Sequence, residues 1–169
     1  MFVLPMNLST NQKGAIAEAK ITAAAIELGI EVYRPVAEGG RFDMVFAFES
    51  GELMRVQCKW APKQGETIIV RGDSCVRAPG GGYRRSVYGV SEIDAVAGYC
   101  SDLDRCYLVP AAMICERRAI NLRLAPSRNN QRVRIHFAEK YELGAIAQLG
   151  ERRRGTAEAV GSSPTSSIR

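Results

Sequence analysis

The sequence predicts an α/β fold of the α+β kind, with strands and helices in one chain. Three observations point there. A helical segment precedes a run of strands; two of those strands alternate apolar and polar residues across a tight turn; and helix-type and strand-type patterns recur later in the chain. The length of 169 residues suits one domain with a tail.

Residues 11–29 read as an amphipathic helix ending at Gly29, with Lys13, Lys20 and Glu27 on the wet face and Ile21, Ala25 and Leu28 on the buried one. Glu18 falls on the buried stripe, where a carboxylate is costly unless paired. Residues 30–35 read as a short strand, and residues 38–40 (Glu-Gly-Gly) as a turn. In the strand 41–48, Phe42, Met44, Phe46 and Phe48 share one face. Ser50-Gly51 predicts a hairpin into the strand 53–60, whose Met54, Val56, Cys58 and Trp60 oppose Arg55, Gln57 and Lys59. Residues 66–78 read as a strand pair, and PGGGYRRSVYG (79–89) as a flexible loop. SEID (91–94) matches a capping box and predicts a helix to about Leu103, with Asp94 as a capping residue. Residues 105–114 read as a late core strand, 121–135 as a polar, arginine-bearing segment, and AEKYEL (138–143) as a last helical turn.

Composition narrows the chemistry. With 46% hydrophobic and 24% charged residues, most of the chain should fold. The net charge of +5 favours a polyanionic partner. No apolar run is long enough to span a bilayer, and the opening MFVLP reads as too short and uncharged for a signal peptide; no membrane partner and a cytoplasmic location are expected. Five cysteines form no CxxC pair and His136 stands alone, which argues against a zinc site, a disulfide framework or a histidine-based triad. Any metal must then rest on carboxylates, carbonyls and water, a set that suits Mg²⁺.

Such a set exists. The hairpin brings Asp43, Gln57 and Lys59 toward one edge. The Asp43 carboxylate, the Gln57 side-chain oxygen and the Cys58 backbone carbonyl can hold a divalent cation there. Lys59 can orient or deprotonate water, or stabilise charge at a phosphate. Glu18 can reach the metal through water or pair with Lys59; taken singly, it can equally bridge to an arginine, and Gln57 and Lys59 can be a solvated strand face.

A helical Glu followed by D…(D/E/Q)xK on a strand pair, here Glu18, Asp43 and Gln57-Cys58-Lys59, resembles the PD-(D/E)xK nuclease superfamily. With SEIDAVAGYCSDLDRCYLVPA (91–111), LRLAPSRNNQ (122–131) and AEKYEL, residues 11–143 resemble its small branch associated with group I introns. Phe42 stands where the family name has proline, and Gln57 where it has an acid, so the metal site loses one negative charge and leans more on Glu18. The resemblance implies a restriction-endonuclease-like core, a mixed β-sheet flanked by helices, that cuts double-stranded DNA with Mg²⁺ or Mn²⁺ in a homing role. One site per chain implies a dimer or higher homo-oligomer for double-strand cleavage. A Holliday-junction resolvase and a non-catalytic DNA-binding remnant are the alternatives.

Candidate DNA contacts are Arg71, Arg77, Tyr83, Arg84 and Arg85 around the glycine loop, and Arg123, Arg128, Asn130 and Gln131 as a second surface. A basic surface loop and a structural polar turn are the plain alternatives. The nuclease domain is expected over residues 1–143. Residues 144–169 change character: AQLGER and VGSSPT back-translate to the D-arm and T-arm of a tRNA gene, which implies a reading frame that runs into one and a tail not selected to fold.

Overall fold

The computed structural model describes residues 7–37, 39–126 and 135–145, apart from the side chains of Val76 and Arg77. The turn expected at 38–40 includes Glu38, which lies outside this set, as do residues 127–134 and the tail from 146.

The chain opens with α1 (Thr10–Glu27). Ser9 caps it: its hydroxyl accepts from the Gln12 amide while the Gln12 side chain accepts from the Ser9 amide. Ser-Thr-Asn-Gln is thus a readable start signal, two residues ahead of the expected one. Ala17, Ile21 and Ala25 form the buried stripe, and Leu28 lies in the cap and is exposed.

Five strands form the central sheet in the order β1 (Glu31–Tyr33), β2 (Met44–Ala47), β3 (Leu53–Trp60), β8 (Ala95–Cys100) and β9 (Arg105–Pro110). The β2–β3 hairpin is antiparallel, as its alternation predicts. β3 and β8 run parallel with Val56 opposite Ala95, which makes the sheet mixed. Between them in sequence lie β4 (Lys63–Gln64), β5 (Thr67–Arg71), β6 (Asp73–Arg77) and β7 (Tyr83–Val87). A four-stranded second sheet has the order β11-β10-β5-β4, with β10 at Ala119–Arg123 and β11 at His136–Phe137. A short helix α2 (Ala111–Ile114) follows β9, and a 3₁₀ turn (Ala138–Tyr141) stands where a last helical turn is expected.

The central sheet is covered on both faces. On one side α1 packs with Met44, Phe46, Val56, Cys58, Ala95, Ala97 and Leu108. On the other, Val96, Cys100, Tyr107 and Val109 meet Ile68, Val70, Ile120 and Leu122 of the second sheet. A Cβ on Gly98 would lie 3.1 Å from the Ala61 methyl and 3.2 Å from a Val70 methyl, so glycine sets how closely the two sheets approach.

Five expectations are corrected. Residues 91–103 are not a helix: a turn leads into β8, all six residues of which are buried. Alanine-rich AVAGYC carries local helix propensity, but apolar side chains on both faces suit an interior parallel strand, and tertiary burial wins. Asp94 accordingly caps nothing; its carboxylate binds the Arg55 amide and guanidinium at 2.8–3.0 Å. Next, residues 66–78 are two strands but not a pair: β5 joins the second sheet, while β6 pairs with β7. Residues 83–87 are therefore strand rather than loop. Finally, the strand 105–114 ends at Pro110 and becomes α2.

Gly72 separates β5 from β6. A Cβ there would lie 2.5 Å from the Arg117 carbonyl oxygen and 2.8 Å from Ile114, so only glycine lets the chain leave the second sheet at that point. The β6–β7 hairpin projects from it as an arm, with every residue of β7 exposed.

Candidate active site

Asp43 immediately precedes β2, and its amide donates to the Val56 carbonyl at 2.9 Å, so the hairpin ladder fixes its backbone. Its Oδ2 accepts from the Gln57 side-chain amide and from the Cys58 amide, the latter at 2.7 Å. Gln57 is only 8% exposed, and this bond satisfies its buried NH₂ group. Donation through nitrogen leaves the amide oxygen as the remaining donor atom for a ligand.

Lys59 lies two residues further along β3 and shares the Gln57 side of the strand. Its ammonium donates to the Tyr88 hydroxyl at 2.8 Å and stands 5.1 Å from that ring's centre. Burial lowers the Lys59 pKa, while Asp43 and Asp73 act to hold it up. Tyr88 is 2% exposed; burial, then the Asp43 charge, pushes its phenol up to about 12, so it stays protonated at neutral pH. Asp73, buried at the start of β6, faces Arg85 at 3.5 Å.

Arg41 binds this corner together. It grips Glu92 with two nitrogens at 2.8 and 3.0 Å, donates to Ser74 and to the Val87 carbonyl, and lies 4.5 Å above the Tyr88 ring.

Glu18 projects from α1 and meets Arg34 at 3.1 Å. The arginine alternative therefore describes its ion pair, and Lys59 is engaged with Tyr88 instead. Glu18 and Asp43 line one open cleft of about 580 Å³ between α1 and the segment joining β1 to β2, together with Arg34 and Gly40. Cys58 lies on the α1 side, and burial first, with Asp43 and Glu18 adding to it, drives its thiol well up, so the sulfur is no nucleophile.

Among the described residues no three His, Cys, Asp or Glu side chains cluster as a metal site. With glutamine in the acidic position, the oxygen donors that Asp43, Gln57 and Cys58 have to offer are a carboxylate, an amide oxygen and a peptide carbonyl, hard oxygens of the kind that Mg²⁺ or Mn²⁺ takes.

The arm gathers Tyr83, Arg84 and Arg85 on β7, with Arg77 opposite Tyr83 in the ladder. Tyr83 is 77% exposed. Arg71 ends β5 beside the arm's base, whereas Arg123 lies opposite Thr67, at the other end of the same strand pair, and donates to the Ala125 carbonyl. These two arginines belong to different surfaces. The Arg77 side chain, Arg128, Asn130 and Gln131 lie outside the described set. Sequence reasoning missed Arg34, Arg41 and Asp73 and placed Tyr88 only within a flexible loop (79–89), whereas it is buried against Lys59: none stands at a motif spacing, and only the fold brings them to the site.

A family model described as PD-(D/E)XK endonuclease matches residues 8–144. The solved structure of a bacterial homing endonuclease, I-Ssp6803I, matches with a TM-score of 0.63 at 22% identity, over 90% of this chain and 99% of that one. No curated protein matches the chain. The likeness in structure shows a restriction-endonuclease-like fold.

Proposed function

The chain belongs to the PD-(D/E)XK endonuclease family, and from that premise we propose that it hydrolyses phosphodiester bonds of double-stranded DNA with Mg²⁺ or Mn²⁺ as cofactor. The observation that carries this reading is the Asp43 carboxylate, held by Gln57 and the Cys58 amide beside the partly desolvated Lys59. Asp43, the Gln57 oxygen and the Cys58 carbonyl would hold the metal, with Glu18 at the other wall of the cleft. The cation supplies Lewis acidity and charge neutralisation at the scissile phosphate. Lys59 supports attack at phosphorus: held by the Tyr88 hydroxyl, it orients or deprotonates the attacking water, and its charged form stabilises the developing negative charge. Arg34 sits against Glu18 and offsets its charge within the cleft.

The exposed arm, with Arg71 at its base, binds the backbone and groove of the substrate, and the Arg123 to Gln131 stretch provides a second contact. Cleavage is site-specific and of the homing type, a reading supported by the homing endonuclease among structures of this fold. One site cuts one strand, so two chains act together on a duplex. The nuclease unit is residues 1–143, and residues 144–169 are the translated edge of a tRNA gene.

The test is a supercoiled plasmid carrying the host locus without this reading frame, incubated with Mg²⁺ or with EDTA. Discrete linear product in Mg²⁺ alone is expected. Lys59→Ala should cut at least about 100-fold more slowly while still folding and binding DNA. Cleavage confined to four-way junctions would indicate a resolvase. Binding with no cleavage of any DNA would identify a remnant.

A further inference from the structure

We propose that Tyr88 is a positioning residue for Lys59: its hydroxyl, held on a rigid seat at the foot of the arm, fixes the lysine ammonium for the reaction. The proposal rests on the nuclease reading above and adds a residue that no motif marks. Lysine has four rotatable bonds, and an unanchored ammonium samples many positions. Here the Tyr88 hydroxyl holds it at 2.8 Å.

The hydroxyl can do this because Tyr88 itself is immobilised from several directions. Its amide donates to the Gly72 carbonyl at 3.2 Å, and its carbonyl accepts from the Glu116 amide at 3.1 Å. Arg41 covers the ring at 4.5 Å and is fixed in turn by its bidentate pair with Glu92. Glu92 also accepts from the Gly89 amide at 2.8 Å, which ties down the residue after the tyrosine. The backbone bonds fix where the side chain starts, and Arg41 fixes where the ring lies, so the hydroxyl meets Lys59 at a set place. The seat also connects two parts of the molecule, because Tyr88 directly follows β7 and Arg41 bonds Ser74 and Val87 at the arm's base.

Tyr88→Phe keeps the ring beneath Arg41 and deletes only the oxygen. In the plasmid assay with Mg²⁺, kcat should fall about 10- to 100-fold, the range expected for a misplaced catalytic group. KM for DNA should stay unchanged. A second readout is Lys59 itself in protein carrying ¹³C at lysine Cε, its signal assigned by its loss in Lys59→Arg. The two Cε protons should be inequivalent in the wild-type chain and averaged in Tyr88→Phe. A kcat within twofold of wild type would overturn the proposal, and so would a slower enzyme whose Lys59 signal is unmoved. Should Tyr88→Phe not fold, Arg41→Lys gives the same readings: it loosens the seat and leaves the hydroxyl, and it should slow cleavage several-fold with partial averaging of Lys59. If the wild-type chain cuts no DNA, the nuclease reading fails, and the Lys59 signal alone decides whether Tyr88 orders the lysine.

Discussion

Two strands of similar length show how differently this molecule uses its chain. β8, Ala95–Cys100, is buried at every residue, and β7, Tyr83–Val87, is exposed at every residue. β8 pairs with β3 and β9 and has α1 on one face and the second sheet on the other. Among the described residues β7 pairs with β6 alone. The interior strand keeps β3 in place, and with it Gln57 and Lys59. The exterior strand packs on little and carries charge. Stability and DNA affinity should therefore separate by mutation between the two.

The sharpest stability test is Gly98→Val in β8. The space beyond Gly98 is already filled by Ala61 and Val70, and two extra methyls force the sheets apart. A loss of about 3 kcal/mol or more is expected from overpacking of this severity, read as a lower denaturant midpoint with cleavage lost in step. A Gly98→Val chain as stable as wild type would break the comparison at its buried end.

At the exposed end, Arg84→Ala should leave stability within about 0.5 kcal/mol. DNA binding should weaken across sequences, and the slope of log affinity against log salt should fall by about one. Arg85→Ala should do the same and also lower the denaturant midpoint, since Arg85 faces the buried Asp73 carboxylate and Arg84 has no such partner among the described residues. Titrations at several salt concentrations, beside denaturant curves, separate the two arginines. Equal midpoints for both variants would remove Asp73 from the comparison.

The same pair of strands explains what the sequence made legible. β2 and β3 each present a two-residue alternation, because one face meets α1 and the other carries the polar site, so the hairpin and its Asp43, Gln57 and Lys59 could be read directly. β8 has no polar face, hence no period, and its small residues imitate a helix. β7 has no apolar face, and Arg-Arg-Ser beside three glycines imitates a loop. Glu18 was recognisable as a carboxylate against an apolar stripe, though the buried stripe is Ala17, Ile21 and Ala25 and Glu18 lies half-buried beside it. Its partner was not, because Arg34 lies 16 positions away and is brought to it by the turn from α1 into β1. Tyr88 and Arg41 depend on contacts spanning 29 and 51 positions, which no local pattern encodes.

The last effect expected is an alkaline loss of stability shared by two tyrosines from contrasting places: Tyr107 in β9 against the interior, and Tyr88 where the arm meets the site. Burial is the first cause in both and raises each phenol from an ordinary value of 10.0 to about 12; nearby carboxylates, Glu142 for Tyr107 and Asp43 for Tyr88, add to it. A folded pKa above the unfolded one means that the unfolded chain releases its proton first. The contribution is therefore complete below about pH 10 and is lost as pH rises toward about 12. It is of order 2 kcal/mol per ring. The half-buried Cys106 thiol, pushed up to about 11 chiefly by burial, begins the decline somewhat earlier. Lys59 opposes it, since its lowered pKa makes the charged form a cost that is relieved as pH rises. Single substitutions isolate each ring from this background. Tyr107→Phe should cost nothing at pH 7, because the Tyr107 hydroxyl is buried without a hydrogen-bond partner among the described residues, and it should flatten the decline above pH 10. Tyr88→Phe should flatten the same decline but begin from a lower neutral value, having lost its bond to Lys59. Denaturant midpoints measured from pH 7 to pH 12 give both quantities in one series. Identical curves for the two variants would mean that the hydroxyl facing Lys59 contributes no more to the fold than the one facing no partner.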